Sequence, residues 1–570
     1  MTPEPLREGV VPWPVEYVDR YVRAGYWQGR SLAEQLWTAA AQWPEAIALV
    51  DGSVRMTYRA LIQCAEGLAG RLRALGLQPE QRIVVQLPNQ WEFLVLLLAC
   101  LRIGVVPVLA MPAHRRHELT HLVRTAQASA IVVPRQYREF DHEQLAHQIA
   151  RESDTVAYVL VTGNPVEPDS IGLTSWCRPE DGTNGTGSTD GGARRLAPDP
   201  QTVALFLLSG GTSGLPKLIG RTHDDYAYNA RRCAQVCGFN STTRYLAALP
   251  LGHNFPLACP GILGTLLTGG RVVIGRSPAP ERALALIEQE GVTATAVVPA
   301  VAQRWLEYHA QHRRHDLSSL RLLQVGGSRF ADHLAAQTRP VLGCQLQQVY
   351  GMAEGLINMT RPDDPDEVVF HTQGRPICPD DELRIVDEAG TPVPDGHPGI
   401  LLTRGPYTPR GYYRAPEHNR RAFTPDGWYR TGDVVRRRPD GNLVVEGRDK
   451  DMILRGGENI SAEEVENFAY QVAGVRLAAA VAMPDPVLGE RVCLYVVADR
   501  GIQISRDDVW AVMRAAGVAS YKFPDRLLQV EELPVTSVGK IDKKQLRADI
   551  TARLEAEQPA TTVPTGDSGE

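Results

Sequence analysis

Short apolar runs separated by helix-compatible stretches restrict the fold of this chain more than any other feature. They are Arg82 to Gln86, Ala130 to Val133, Val156 to Val161, Val203 to Leu208, Ala294 to Val298 and Leu320 to Val325. Strands of this kind alternating with helices predict an α/β architecture with largely parallel sheets. The most apolar stretch, Phe93 to Met111, is interrupted by Arg102, Gly104 and Pro107. It falls short of the roughly 20 uninterrupted apolar residues of a membrane span, and is expected to be a buried helix followed by a strand.

A chain of 570 residues, 43% hydrophobic and 22% charged, is too large for one core, so at least two domains are expected. The formal net charge is −6 and no long Lys/Arg run occurs, which speaks against nucleic acid and for a small-molecule or protein partner. Nine cysteines, without a paired CxxC or a Cys/His cluster, argue against a disulfide framework or zinc site. The N-terminal MTPEPLREGVVPWP lacks a basic segment leading into an apolar core, so no signal peptide, no membrane insertion and a cytoplasmic location are expected. Gly182 to Gly192, GTNGTGSTDGG, is expected to be a mobile surface loop, and about Glu557 to Glu570 a polar tail.

Chemistry concentrates in a few segments. Leu249 to Gly261, LPLGHNFPLACPG, sets His253, Asn254, Phe255 and Cys259 among prolines and glycines. A buried asparagine must find partners, and an aromatic wall beside it suits a small planar ring with one polar substituent. An ordinary loop with a packed aromatic fits the same letters. After VALFLL comes SGGTSGLPK: Ser209, Gly210, Gly211, Thr212, Ser213, Gly214 and Lys217 combine backbone access, hydroxyls and a cation, the ingredients of a phosphate cradle. Its spacing is not that of a Walker A loop. In YGMAE, Tyr350 to Glu354, the carboxylate is either a Mg²⁺ ligand or a surface charge; in YRTGD, Asp433 is either a ribose acceptor or a turn residue. GRDKDMILRGGEN, Gly447 to Asn459, is a dense charge and glycine cluster that reads both as a functional segment and as an exposed interdomain turn, and PVTSVGK ends on Lys540, by itself an ordinary surface lysine.

In this order the segments resemble the adenylate-forming superfamily of acyl-CoA synthetases, peptide-synthetase adenylation domains and luciferases. KLIGRTHDDY (Lys217 to Tyr226), GHNFPLACPG, LQVGGS (Leu323 to Ser328), QQVYGMAEG (Gln347 to Gly355) and HTQGRP (His371 to Pro376) resemble its stand-alone aryl-acid AMP ligases of siderophore biosynthesis, in particular the mycobactin-type salicyl-AMP ligases. That subgroup shares the alanine at Ala353, where most of the superfamily has threonine.

The resemblance implies a large N-terminal domain over 1–446 with layered α/β sheets and a distorted β-barrel subdomain, a hinge over 447–450 at Lys450, a small mobile α+β domain over 451–550 and a tail over 551–570. It implies that the Ser209 to Lys217 loop holds the ATP phosphates. Gly326, Gly327, Ser328, Tyr350 and Gly351 would line the nucleotide site, with Asp433 on the ribose and Arg448 beside the hinge. Glu354 would bind Mg²⁺, and His253, Glu354 and Lys540 are the candidate catalytic residues. His253, Asn254, Phe255, Cys259, Gly327, Val349 and Ile357 would form the aryl-acid pocket, Asn254 meeting an ortho-hydroxyl. Where relatives that take 2,3-dihydroxybenzoate tend to have serine and valine, this chain has Cys259 and Ile357, which leaves less room and a weaker partner for a 3-hydroxyl. The expected activity is conversion of salicylate and ATP to aryl-AMP and pyrophosphate, then transfer to the phosphopantetheine thiol of an aryl carrier protein in trans. Lys540 serves the first step, and a swing at Lys450 presents the Arg455 to Glu458 loop for the second. Alternatives are 2,3-dihydroxybenzoate or 3-hydroxypicolinate as substrate, CoA as acceptor, and a catalytically silent sensor on the same fold.

Overall fold

The computed structural model describes residues 6–178, 197–209, 215–448, 451–455, 458–485, 488–516, 518, 520–536 and 540–557. The chain divides into two units, one of residues 1–431 with 436–445, the other of 432–435 with 446–570. The expected loop at Gly182 to Gly192 and the tail beyond Glu557 lie outside the described residues. The last helix, Lys543–Glu557, runs past residue 550, so the stretch 551–557 is helical; Arg526 pairs with Glu557 at 2.6 Å.

Two large sheets organise the first unit. A seven-stranded sheet has the order Leu218–Thr222, Val203–Leu208, Val106–Leu109, Arg82–Val85, Ala130–Pro134, Tyr158–Thr162, Ser170–Gly172. All its pairings are parallel except the edge pair of Val203–Leu208 with Leu218–Thr222. A nine-stranded sheet has a parallel centre, Ile47–Asp51, Arg271–Ile274, Arg244–Ala247, Ala294–Val297, Leu322–Gly326 and Gln345–Met352, with antiparallel strands at both edges. Strands buried on both faces read as continuous apolar runs, which is why they are visible in the sequence.

Between these layers lies Trp91–Ile103, buried at every position except Arg102. A helix apolar on all sides must be covered on all sides. Leu94, Leu97 and Leu101 share one apolar cluster with Ile83 and Val85 of one sheet and Leu49 and Val272 of the other. The strand Val106–Leu109 follows after Gly104, whose φ of +73° ends the helix. No helix among the described residues is long and apolar enough to cross a membrane. All nine cysteines are free thiols.

A four-stranded sheet comprises Glu382–Val386, Gly399–Arg404, Tyr429–Arg437 and Leu443–Arg448. In the second unit, Val475–Asp485 and Gly489–Ala498 form a long antiparallel pair, extended by Ile453–Arg455, Glu458–Ile460 and Arg526–Gln529. The helices Ala462–Ala469 and Arg506–Ala515 pack on one side around Val465, Leu494 and Val509, and Lys543–Glu557 contributes Leu546 and Ile550 to a second cluster with Val481 and Tyr495.

Candidate active site

The LPLGHNFPLACPG segment is not an irregular loop, because Asn254–Ala258 forms a short helix capped by His253, whose Nδ1 accepts the Phe255 N–H at 3.2 Å. That bond leaves the ring proton on Nε2. The helix is pinned to the neighbouring His223–Val236, where Asn229 Nδ2 donates to the Ala258 carbonyl at 2.7 Å. Asn254 is buried, and its Oδ1 accepts the Tyr226 hydroxyl proton at 2.9 Å. The Cys259 thiol lies 3.5 Å from the Asn254 carbonyl oxygen.

The end of one strand meets this helix at Gly326. A Cβ on Gly326 would sit 2.5 Å from the Val349 carbonyl oxygen and 3.2 Å from the Phe255 ring, so only glycine lets Leu322–Gly326 approach both. Gly327 and Ser328 follow at an exposed turn, and Gly327 has a φ of +95°, a conformation that favours glycine. Ile357 faces Gly351 across the Gln345–Met352 and Gly355–Met359 hairpin, and its N–H donates to the Tyr407 hydroxyl at 3.2 Å. Phe255, Cys259, Val349 and Ile357 all belong to one apolar cluster. The arrangement sits at the carboxyl ends of parallel strands, the usual ligand position in open α/β sheets.

Glu354 occupies the tip of that hairpin and is buried, which removes the surface-charge alternative. Tyr412 donates its hydroxyl proton to Glu354 Oε1 at 2.7 Å and lies 3.2 Å from the Tyr429 hydroxyl. Burial, reinforced by the Glu354 charge, pushes the Tyr412 phenol far above its ordinary pKa, so it remains a donor. Lys217 Nζ stands 5.8 Å from the centre of the Tyr412 ring. Lys217 and Ser209 close the neck of the glycine-rich segment: the Ser209 N–H donates to the Lys217 carbonyl and the Lys217 N–H to Ser209 Oγ, both at 3.0 Å. Gly210, Gly211, Thr212, Ser213 and Gly214 lie outside the described residues. Tyr350 is half-buried and Gly351 exposed on the same hairpin.

Beside these residues runs a buried polar network. Thr222 and Asp225 form a capping box, the Thr222 N–H donating to Asp225 Oδ2 at 2.6 Å and the Asp225 N–H to Thr222 Oγ1 at 3.2 Å. Asp225 also pairs with Arg221 at 2.8 Å, both side chains being essentially inaccessible. Arg221 donates to the carbonyls of Ala353 at 3.1 Å and Tyr407 at 3.2 Å, and its guanidinium stands 4.7 Å over the Tyr226 ring. Tyr407 in turn donates to Asp381 at 2.5 Å. Burial pushes the Asp381 carboxyl up to about 8, the Tyr407 hydrogen bond opposing it. Arg221 and Tyr226 lie within KLIGRTHDDY and Tyr429 within YRTGD, yet no local pattern assigns them these contacts; Tyr407 and Tyr412 carry no motif signal at all.

Asp433 is buried in the middle of the strand Tyr429–Arg437, so the turn alternative does not hold. Lys540 is exposed, and its main chain is bonded to Thr536: the Thr536 N–H donates to the Lys540 carbonyl at 2.7 Å and the Lys540 N–H to Thr536 Oγ1 at 3.2 Å. Arg448 ends the strand Leu443–Arg448, while its side chain and all of Lys450 lie outside the described residues. Arg455 is engaged inside the second unit by the Tyr521 carbonyl at 2.6 Å and Asp525 at 2.7 Å.

Comparison with known proteins gives this geometry its context. Residues 36–413 match the AMP-binding enzyme family, and residues 464–540 match the AMP-binding enzyme C-terminal domain. A salicylyl-CoA synthase / salicylate adenylyltransferase of Streptomyces sp is 58% identical over 551 residues, spanning 96% of this chain and 99% of that protein. A 2-hydroxy-7-methoxy-5-methyl-1-naphthoate–CoA ligase of Streptomyces carzinostaticus is 57% identical, spanning 95% and 97%. The apo structure of Mycobacterium smegmatis MbtA superposes with a TM-score of 0.72 at 46% identity, covering 95% of this chain and 99% of the other. The chain therefore belongs to the AMP-binding enzyme family, and within it to the ATP-dependent aryl-acid AMP ligases of siderophore type.

Proposed function

We propose that the enzyme activates a 2-hydroxyaryl acid, salicylate first among them, and passes the aryl group to a phosphopantetheine thiol. The observation that carries the substrate reading is the buried Asn254 amide beside the wall of Phe255, Val349, Ile357 and Cys259. One polar group in an apolar pocket selects for one polar ring substituent. Both Streptomyces relatives are named for acids with a hydroxyl adjacent to the carboxylate, which supports the same reading.

In the first step the substrate carboxylate attacks the α-phosphorus of ATP and pyrophosphate leaves; no covalent bond to the enzyme forms. Catalysis then rests on positioning and on neutralising charge that develops on phosphate oxygens. Lys540 supplies the bridging cation, the Ser209 to Lys217 segment with Gly327, Ser328, Tyr350 and Gly351 holds the nucleotide, Asp433 takes the ribose hydroxyls, and Arg448 stands beside the hinge. His253 shapes the pocket through its cap on the Asn254 helix. A Mg²⁺ ion suits the donors present: Glu354 offers one buried carboxylate whose second oxygen has no hydrogen-bond partner among the described residues, and Mg²⁺ is commonly held by one or two carboxylates plus substrate phosphates and water. When bound it would neutralise phosphate charge.

For the second step the motif resemblance favours an aryl carrier protein in trans, reached by rotation at Lys450. A second reading, CoA as acceptor, is favoured by the names of both Streptomyces relatives. The test is aryl-acid-dependent ATP–pyrophosphate exchange across salicylate, 2,3-dihydroxybenzoate, 3-hydroxypicolinate, benzoate and an aliphatic acid, followed by thioester formation with CoA or with phosphopantetheinylated carrier. Salicylate is expected to lead; exchange with no acid would refute the proposal.

A further inference from the structure

We propose that the Tyr226 hydroxyl, backed by the buried Arg221–Asp225 pair, is a positioning group that makes the pocket accept a hydrogen-bond acceptor, and refuse a donor, beside the substrate carboxylate. This rests on the aryl-acid reading above. An asparagine amide has an acceptor end and a donor end of nearly equal size, and its neighbours decide which one a ligand meets. Here Oδ1 is taken by Tyr226 at 2.9 Å, and Nδ2 has no partner among the described residues.

A phenol could equally accept from Nδ2, so the direction needs a cause. Arg221 supplies it. Its guanidinium lies 4.7 Å over the Tyr226 ring and draws electron density from it, making the hydroxyl a better donor and a poorer acceptor. The guanidinium is itself held by Asp225 and by the carbonyls of Ala353 and Tyr407. Burial raises the Tyr226 phenol well above its ordinary pKa, so the proton stays on the hydroxyl. The amide is thereby turned with its N–H bonds toward the ligand.

Salicylate matches this polarity. Its phenolic proton is donated internally to its own carboxylate, which leaves the oxygen lone pairs facing outward as an acceptor. In 2-aminobenzoate one N–H is donated internally and the second points outward, where it meets another donor. Benzoate leaves Nδ2 unpaired. The pocket should therefore separate two ortho substituents of almost the same size.

The full-length Tyr226→Phe variant tests this, since it removes one hydroxyl and keeps the ring under Arg221. Exchange kinetics are measured with salicylate, 2-aminobenzoate and benzoate, with the KM for ATP and the melting temperature alongside. The wild type is expected to favour salicylate over 2-aminobenzoate by about 100-fold or more in kcat/KM. Tyr226→Phe should cut that ratio at least about tenfold, mainly through the KM for salicylate, while the ATP KM and benzoate efficiency hold. A wild-type ratio in the variant, or an equal fall for all three acids, overturns the proposal. If Tyr226→Phe does not fold, Asn254→Asp places an acceptor at both ends of the side chain and should lower the same ratio; an unchanged ratio there overturns it too, as does wild-type use of 2-aminobenzoate on a par with salicylate. Wild-type enzyme inactive with every aryl acid refutes the aryl-acid reading itself, whereas active enzyme with an unmoved ratio refutes only the role of Tyr226.

Discussion

Replacing Cys259 by serine and Ile357 by valine should turn the pocket toward 2,3-dihydroxybenzoate. Both residues are sealed, 3% and 1% exposed, so a change of one atom is felt. Serine would keep the contact the thiol makes with the Asn254 carbonyl, now 3.5 Å, and present its lone pairs to a 3-hydroxyl. A neutral hydrogen bond of this kind contributes about 0.5–1.5 kcal/mol. Ile357→Val removes one methylene, worth about 1–3 kcal/mol in discrimination. The freed space should persist, because the backbone at Ile357 is fixed by the Tyr407 hydroxyl at 3.2 Å, by the Ile377 N–H on its carbonyl at 3.0 Å and by its register with Gly351. Together the terms give about 1.5–4.5 kcal/mol, a shift of about 10- to 2,000-fold in the kcat/KM ratio of 2,3-dihydroxybenzoate to salicylate at about 1.4 kcal/mol per tenfold. Ile357→Val itself costs about 0.5–1.5 kcal/mol of stability, small against the total. Pyrophosphate exchange with each acid reads the ratio directly, and a ratio unchanged within twofold or so would refute the selectivity argument.

Lys540→Ala should lower adenylation by about 10²- to 10³-fold, as loss of a transition-state charge contact does, with the melting temperature measured alongside to separate chemistry from folding; full retained exchange would restore the silent-sensor alternative. Tyr412→Phe, which removes the hydroxyl holding Glu354 at 2.7 Å, should reduce kcat/KM for ATP about tenfold or more without altering the salicylate-to-benzoate ratio, and a change confined to the acid would contradict the assignment of Glu354. Asp381 has a folded pKa of about 8 against an ordinary 3.8, raised by burial, so the folded chain binds the extra proton in between. Its contribution is complete below pH 4 and is lost as pH rises through 8; Asp381→Asn should therefore flatten the fall in melting temperature between pH 5 and 8, and a slope identical to wild type would count against a protonated Asp381.

Where the sequence was legible, the reason is local. Val203 to Leu208 is a strand at both predicted ends, because a buried run flanked by polar residues has no other place to stop. The run from Val156 begins two residues late, at Tyr158, because the Val156 N–H is spent on Ser153 Oγ at 3.4 Å rather than on a sheet neighbour. Asp433 shows the limit of composition. Thr-Gly-Asp has the letters of a turn, yet Gly432 takes its φ of +69° inside a strand whose Thr431 Oγ1 bonds to the Leu401 carbonyl at 2.9 Å. Only the partner strand decides the matter, and the partner is thirty residues away in sequence.

The same reasoning explains which site residues stayed hidden. Asn254, Glu354 and Lys217 stand in segments whose glycines, prolines and charges are unusual enough to notice in the sequence. Their supports need only reach the right atom, so Tyr412 meets Glu354 across 58 positions, Tyr407 meets Ile357 across 50, and Arg221 meets Ala353 across 132. An arginine buried to this degree is costly unless it is paired and its donors are filled. Arg221 meets that condition by bonding Asp225 and the carbonyls of Ala353 and Tyr407, and each bond falls on a residue next to, or in contact with, part of the candidate site. Its cost of burial is thus offset by the same contacts that fix the neighbour of Glu354, the tyrosine under Ile357 and the ring of Tyr226, so stability and the shape of the pocket are set by one ion pair.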